Sequence, residues 1–283
     1  MIDRVPAVPE ALDYSADTAL KQRPGTRPLL HRPPAPRPTK QPFAKNVILK
    51  NVILARLSVQ HLAAIAECLE PITLKERMVL QEPKRQVEHV YFIETGLVSL
   101  RVNAAGRLLE TAIIGYRGAV GASFLRSRHL STHQSVVVFP GSAHRIRVED
   151  LRRVMKAHPE IREHLSKYVQ ALTFQCVQTG LCGVRHHREQ RLASWLCLAS
   201  DAVDACMLPV THDYLSLALG MRRAEVTETL ARFEEQGLIR KMRGVVQIDQ
   251  HKSLGETACC CYKLVSGAYA SPSVRPLIKE QTS

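Results

Sequence analysis

Apolar positions change their period several times along this chain, and each period predicts a different element. In residues 51–69 they recur at helical spacing, at Leu54, Leu57, Leu62, Ile65, Ala66 and Leu69. With Ser58 as a cap, that predicts a helix ending before Pro71. The period then falls to two. Residues 87–92, 96–102, 108–114, 135–139 and 143–148 alternate or run apolar, and Glu94-Thr95-Gly96, Ala105-Gly106 and Pro140-Gly141 punctuate them as turns. Short antiparallel strands joined by such turns predict a small β-barrel or jelly roll.

Helical spacing returns after His158-Pro159. Ile161, Leu165, Tyr168, Leu172, Cys176 and Thr179 follow one another at intervals of 4, 3, 4, 4 and 3. This near-heptad stripe predicts a long helix, and it is assigned to a partner helix in a homodimer rather than to the chain's own barrel. A second helix is expected over residues 186–203, with His186 and His187 facing solvent ahead of its charged start.

Residues 215–239, LSLALGMRRAEVTETLARFEEQGLI, then hold two short apolar-periodic segments that meet at Gly220. Small Ser216 lets two helices approach, Gly220 permits a left-handed turn, and Val226 packs back under the first helix. Leu215, Leu219, Met221 and Leu230 close the small core. That arrangement is a helix-turn-helix, and residues 240–248, turning at Gly244, form a strand–turn–strand wing beside it. The fold class is therefore α+β: an N-terminal antiparallel β-barrel, a long dimerisation helix and a C-terminal winged helix-turn-helix.

Composition changes this picture little. Residues 1–45 hold nine of the sixteen prolines and few large apolar side chains in series, so a disordered arm is expected there. The barrel domain is assigned to residues 46–150, the dimerisation helix to 151–184, the reader domain to 185–262 and a flexible tail to 263–283. The net charge of +13 suggests a polyanion, yet residues 209–250 carry six basic and six acidic side chains. Placement must therefore carry the argument for DNA: Arg222, Arg223, Arg240, Lys241 and Arg243 on one face, with Glu234 and Glu235 on the far side.

No apolar run is long enough to span a membrane, and residues 1–20 lack the apolar core of a signal segment. The eight cysteines include no CxxC pair, so reduced thiols in a cytoplasmic protein are expected. Cys259-Cys260-Cys261 are adjacent, and three adjacent side chains of a regular element cannot all point at one ion; neither a metal nor a cofactor is expected. The sequence has no G-x-S-x-G, P-loop or HExxH motif, and an enzyme is not expected.

In the order of these parts, and in the segments EHVYFIETGLVSLRV, RLASWLCLASD and LPVTHDYLSLALGMRRAEVTETLARFEEQGLIRKMRGVVQI, the chain resembles the Crp/Fnr family of bacterial transcription regulators. The resemblance spans roughly residues 51–262. It implies an effector-sensing barrel resembling a cyclic-nucleotide-binding domain, a homodimer on palindromic promoter sites in double-stranded DNA, and RNA polymerase as a further partner. Cyclic-nucleotide-binding members use a Gly-Glu pair and an Arg-Ser or Arg-Thr pair as anchors, a guanidinium gripping the phosphate. The corresponding positions here are read as Gly118-Ala119 and Leu130-Ser131, which lack both charged anchors. The implied effector pocket is thus degenerate, with Arg126 and Arg128 out of register. The iron–sulfur members' N-terminal cysteines are also missing.

In the reader, the resemblance places the helix from Arg222 in the major groove, with Arg223 at a guanine-reading position. Arg222 replaces a capping serine or threonine. Ala224, Glu225 and Glu228 depart from the family pattern, Ala224 replacing a base-reading glutamate and Glu228 a second base-reading arginine. Arg222, Glu225, Thr227 and Glu228 are still assigned to the DNA-binding set, and Thr211, Lys241 and Arg243 are candidate phosphate contacts. The alternative is a ligand-binding regulatory protein whose barrel is its main functional site.

Overall fold

The computed structural model describes residues 49–104, 107–125 and 130–270. The proline-rich arm, Arg126 and Arg128, and residues 271–283 of the expected tail lie outside them. The chain opens with two helices rather than one, α1 (Val52–Ala55) and α2 (Val59–Ala66). Ser58 caps the second as expected, accepting from His61 N at 3.2 Å. The break has a separate cause: Asn51 caps α1 and, fully buried, donates its Nδ2 to the carbonyls of Ile93 and Gly118. A buried amide satisfied by a strand residue, Ile93, and by the residue just before the strand Ala119–Val120 fixes the first turn against the sheet.

The sheet contains β1 (Glu70–Leu74), β2 (Val79–Gln81), β3 (His89–Ala104), β4 (Arg107–Ile114), β5 (Ala119–Val120) and β6 (Gln134–Arg147). All its pairings are antiparallel, in the order β1-β6-β3-β4, with β2 on β6 and β5 on β3. Two expected turns are absent. The chain runs through Glu94-Thr95-Gly96 and through Pro140-Gly141, and the β3–β6 register shifts there instead. Gly96 has φ +89°, and a Cβ on it would lie 2.6 Å from the carbonyl oxygen of Phe139; one on Gly141 would lie 2.2 Å from that of Thr95. The glycines allow close approach across a bulge rather than chain reversal.

Strand alternation separates two cores. Val98, Ile114 and Val137 face inward with Phe92, Leu74 and Ile146, whereas Leu97, Ile113 and Phe139 face the opposite side of the sheet. After a 3₁₀ turn (Ala122–Leu125) and β6 come α3 (Val148–Ala157) and α4 (Pro159–Arg185). Ile161, Leu165, Tyr168 and Leu172 of α4 are buried in the inward core, and Cys176 packs against it. Tyr168 also donates to Ala119 O at 3.0 Å. Thr179 donates to Gln175 O at 2.9 Å within its own helix. The stripe expected to meet a partner is therefore consumed by the chain's own sheet.

Then follow α5 (Arg188–Val203), β7 (Met207–Leu208), α6 (His212–Leu219), α7 (Arg223–Glu235), β8 (Ile239–Met242), β9 (Val245–Ile248) and α8 (His251–Thr257). The expected two-stranded wing is a three-stranded sheet, β7-β9-β8. Residues 260–270, partly assigned to a flexible tail, instead form α9 (Cys260–Ala270), with Val265 buried and Tyr269 donating to Gln175 of α4 at 2.7 Å. Among the described residues no helix is long and apolar enough to cross a membrane.

Candidate nucleic-acid interface

The reader is built on its turn. Gly220 has φ +59° and ψ +37°, and Ser216 Oγ donates to Met221 O at 2.7 Å across the same corner. Val226 and Leu230 are fully buried beside Leu215, Leu219 and Met221, so the small core closes as its spacing predicts. Thr211 is the N-cap of α6, its Oγ1 accepting from Tyr214 N at 3.2 Å. A cap hydroxyl at the foot of the first helix is compatible with a phosphate contact, because the exposed side of Thr211 stays open.

The N-terminal face of α7 presents Arg222, Arg223, Ala224, Thr227 and Glu228, all exposed. Arg223 Nε lies 3.0 Å from Asp213 Oδ1 of α6, and both side chains are about 70 % exposed, at 69 % and 71 %. Thr227 Oγ1 donates to Arg223 O at 3.0 Å and lies 2.9 Å from His212 Nδ1. Arg222 makes no cap hydrogen bond through its side chain. The missing cap is compensated from inside the helix, since Glu225 Oε2 accepts from Arg222 N at 3.0 Å. That bond first, and the neighbouring arginines next, hold the Glu225 carboxyl below the usual carboxylate range.

Glu225 also lies 3.0 Å from Arg188 at the start of α5. It thus caps α7 and ties it to α5, a scaffold role that its place in the expected DNA-binding set does not convey. Glu228 pairs with Arg232 at 3.0 Å, and Arg232 pairs in turn with Glu189 of α5. Arg243 sits exposed at the tip of the wing. Lys241 is only partly exposed and pairs at 2.9 Å with Glu234, which also accepts its backbone N–H at 2.7 Å. Glu234 is therefore beside Lys241 and not on the far side of the reader. Arg240 faces Asp249 at 3.6 Å.

The four expected effector residues are not brought together. Gly118 lines a small cavity with Tyr168, Gln175, Ala202 and Tyr269, where a Cβ would lie 2.7 Å from the Tyr168 hydroxyl. Ala119 is fully buried in β5. Leu130 is exposed, and Ser131 is buried with its Oγ donating to His133 O at 2.6 Å. Ser131 borders a separate cleft with Gln81, Arg85, Gln86 and Tyr91.

A junction that sequence reasoning missed joins the sheet to the reader. Glu110 of β4 is buried, accepts from Trp195 Nε1 of α5 at 2.6 Å, and is also bonded by the hydroxyls of Ser99 and Tyr214 of α6. Burial pushes its carboxyl above the usual range, opposed by those three hydrogen bonds and by Arg101. A lone acid inside an apolar strand signals such a role only when its partners, 85 and 104 residues away, are known.

The fold and the exposed helix face define a winged helix-turn-helix protein whose reader is joined to an antiparallel sheet domain. Residues 190–257 match the Crp-like helix-turn-helix domain. FixK2 from Bradyrhizobium japonicum has a similar fold, at 16 % identity and a TM-score of 0.59 over 68 % of this chain and 98 % of that one. So do the c-di-GMP-responsive global regulator CLP of Xanthomonas campestris (15 %, 0.57, 68 % and 99 %) and a Crp/Fnr-family regulator of Thermus thermophilus (21 %, 0.55, 67 % and 98 %). A search of the curated proteins finds no match. The chain thus shares the fold of Crp/Fnr-family regulators, and its residues 190–257 carry a Crp-like helix-turn-helix domain.

Proposed function

We propose that this protein is a sequence-specific DNA-binding transcription regulator that acts as a homodimer on palindromic promoter sites. The carrying observation is the exposed strip Arg222, Arg223, Ala224, Thr227 and Glu228, projected from a helix fixed by the left-handed Gly220. A helix presenting its first turns this way fits the major groove, with the wing tip at Arg243 beside the backbone. Arg223 leaves Asp213 for guanine O6 and N7, an exchange that costs little because an exposed ion pair is worth only about 0–1 kcal/mol. Glu228, held by Arg232, sets a preference different from a second arginine's.

The partner-facing side of α4 is the one opposite the buried stripe. Val177, Leu181 and Val184 are 62 %, 45 % and 83 % exposed, with half-buried Phe174 one turn earlier. At 3.6 residues per turn these positions lie roughly half a turn from Ile161, Leu165 and Leu172. Their spacing of 3, 4 and 3 suits a coiled-coil seam with the same helix of a second copy. The effector pocket is degenerate: neither Gly118-Ala119 nor Leu130-Ser131 carries a charged anchor, and Gly118 and Ser131 line different spaces.

Selection of binding sites from a random DNA library tests the reading. A palindromic motif with half-sites about one helical turn apart is expected. Arg223→Ala should relax one base pair of that motif and cost about 1–3 kcal/mol at the selected site. No enriched motif, or an identical motif for the variant, would refute it.

A further inference from the structure

Four side chains outside the DNA-facing surface converge where α4 ends. Cys182 lies in the last turn of α4, His186 is its C-cap, and Cys259 and Cys261 flank the start of α9. Their sulfur and imidazole nitrogen atoms all lie within 4.8 Å of one another. Cys182 Sγ is 3.4 Å from Cys259 Sγ, and Cys261 Sγ is 3.6 Å from His186 Nδ1. Adjacency does keep one of the three neighbouring cysteines out of the group, for Cys260 is exposed, its Sγ 3.8 Å from the opposite ring nitrogen of His186, while Cys259 and Cys261 are buried. The other two ligand positions come from 77 and 75 residues earlier in the chain, and His186 is half-buried rather than solvent-facing.

The spacing discriminates between occupants. Ligands held about 2.0–2.3 Å from one tetrahedral ion stand roughly 3.3–3.8 Å apart. Both measured separations fit that range, and the widest pair, at no more than 4.8 Å, needs to close by about 1 Å. An iron–sulfur cluster interposes several irons and sulfides and spreads its ligands further. A Cys182–Cys259 disulfide would need the sulfurs at about 2.05 Å and would leave Cys261 and His186 facing each other without a role. An outer support is also in place. Ser194 Oγ accepts from Cys259 N at 3.0 Å, lies 3.0 Å from Cys259 Sγ, and is itself anchored to Gln190 O at 2.7 Å.

We propose that Cys182, His186, Cys259 and Cys261 form a closed, tetrahedral zinc site that staples α9 to the hinge between α4 and α5. Three thiolates and an imidazole select zinc over hard cations, and four protein ligands leave no open position for catalysis. Binding releases the thiol protons, so affinity rises with pH.

The staple reaches the reader through α5, which begins two residues after His186. Arg188 in its first turn pairs with Glu225 at the head of α7, Arg191 donates to Leu219 O at the end of α6, and Ser194 touches Cys259. Cys259 and Cys261 lie just past residue 257, where the matched helix-turn-helix segment ends. The ion therefore holds in place the helix that positions both halves of the reader. This consequence rests on the DNA-binding reading above; the metal site itself does not.

The test uses the full chain, purified under reducing conditions and reconstituted with zinc. One zinc per chain is expected by elemental analysis. Cobalt(II) in its place should show sulfur-to-metal charge transfer and tetrahedral visible bands, and X-ray absorption of the zinc form should show three sulfur neighbours and one nitrogen. Cys182→Ser and Cys259→Ser should abolish stoichiometric zinc, whereas Cys260→Ser should retain it, and Ser194→Ala should weaken zinc affinity about 10–100-fold. Should the serine variants not fold, release of zinc from the unmodified chain by a thiol-titrating mercurial gives the same readout. No bound metal, an octahedral cobalt spectrum, or full zinc in Cys182→Ser or Cys259→Ser would overturn the site. Chelator-stripped protein should bind its selected DNA at least about tenfold more weakly. Unchanged DNA affinity with zinc fully removed would overturn the hinge role, whereas zinc binding without any selected DNA motif would count against the DNA reading alone.

Discussion

At the scale of single residues, Asp213 and Glu110 carry the sharpest consequences. Asp213 holds Arg223 at 3.0 Å on the exposed face, so in the proposed complex it would compete with DNA for the guanidinium and add a negative charge near the phosphates. Asp213→Asn should therefore tighten DNA binding several-fold, the opposite sign to Arg223→Ala, in a titration at fixed salt. Glu110 is different because it is buried. Its folded-state carboxyl titrates above the ordinary value of 4.5, so the folded form binds a proton more tightly than the unfolded one. Stability from this group is thus highest in acid, below the unfolded value, and is lost as pH rises through the raised folded value. Glu110→Gln should flatten that dependence in chemical denaturation measured across pH. Glu110→Ala should instead destabilise by about 1–3 kcal/mol at any pH, since it strands the Trp195 N–H and the Tyr214 hydroxyl.

At the scale of elements, the corner and the long helix matter most. A Cβ on Gly220 would meet nothing nearer than Leu109 Cδ1 at 3.8 Å, so crowding is not the constraint. The left-handed backbone is, and Gly220→Ala should cost about 1–2 kcal/mol in thermal unfolding while leaving the core intact. For α4, the sequence offered one near-heptad stripe, and the protein's own core buries its Ile161, Leu165, Tyr168 and Leu172, leaving Cys176 and Thr179 half-buried. Periodicity identifies an apolar face but cannot say which neighbour covers it. Leu181→Asp should shift the protein to a monomer in light scattering and weaken binding to a palindrome more than to a half-site. Ile161→Asp should unfold the sheet domain instead.

At the scale of the whole molecule, the sheet and the reader are not beads joined by a helix. Leu97, Ile113 and Phe139 of the sheet share one apolar core with Leu192, Trp195, Leu196 and the reader's Leu215 and Phe233. Glu110 crosses the same boundary. The sheet domain therefore packs directly against α5 and α6. With both charged anchors missing from the implied pocket, added cyclic nucleotides should leave DNA affinity unchanged in a titration; tighter binding would reinstate such a pocket.

What was legible along the chain is what local physics fixes. Helical or alternate periodicity gave the element types, Gly220 with Ser216 and Val226 gave the corner, and Arg222-Arg223 gave an exposed basic start to the second helix. Everything that depends on distant residues meeting had to wait for the folded chain. Folding turned Gly96 and Gly141 from turn residues into a close crossing of two long strands, and gave the buried face of α4 to the sheet. It made Glu225 a cap and Glu110 a junction. It also drew Cys182 and His186 up to Cys259 and Cys261. Spacing along a chain sets which way a side chain points, but only folding sets what it points at.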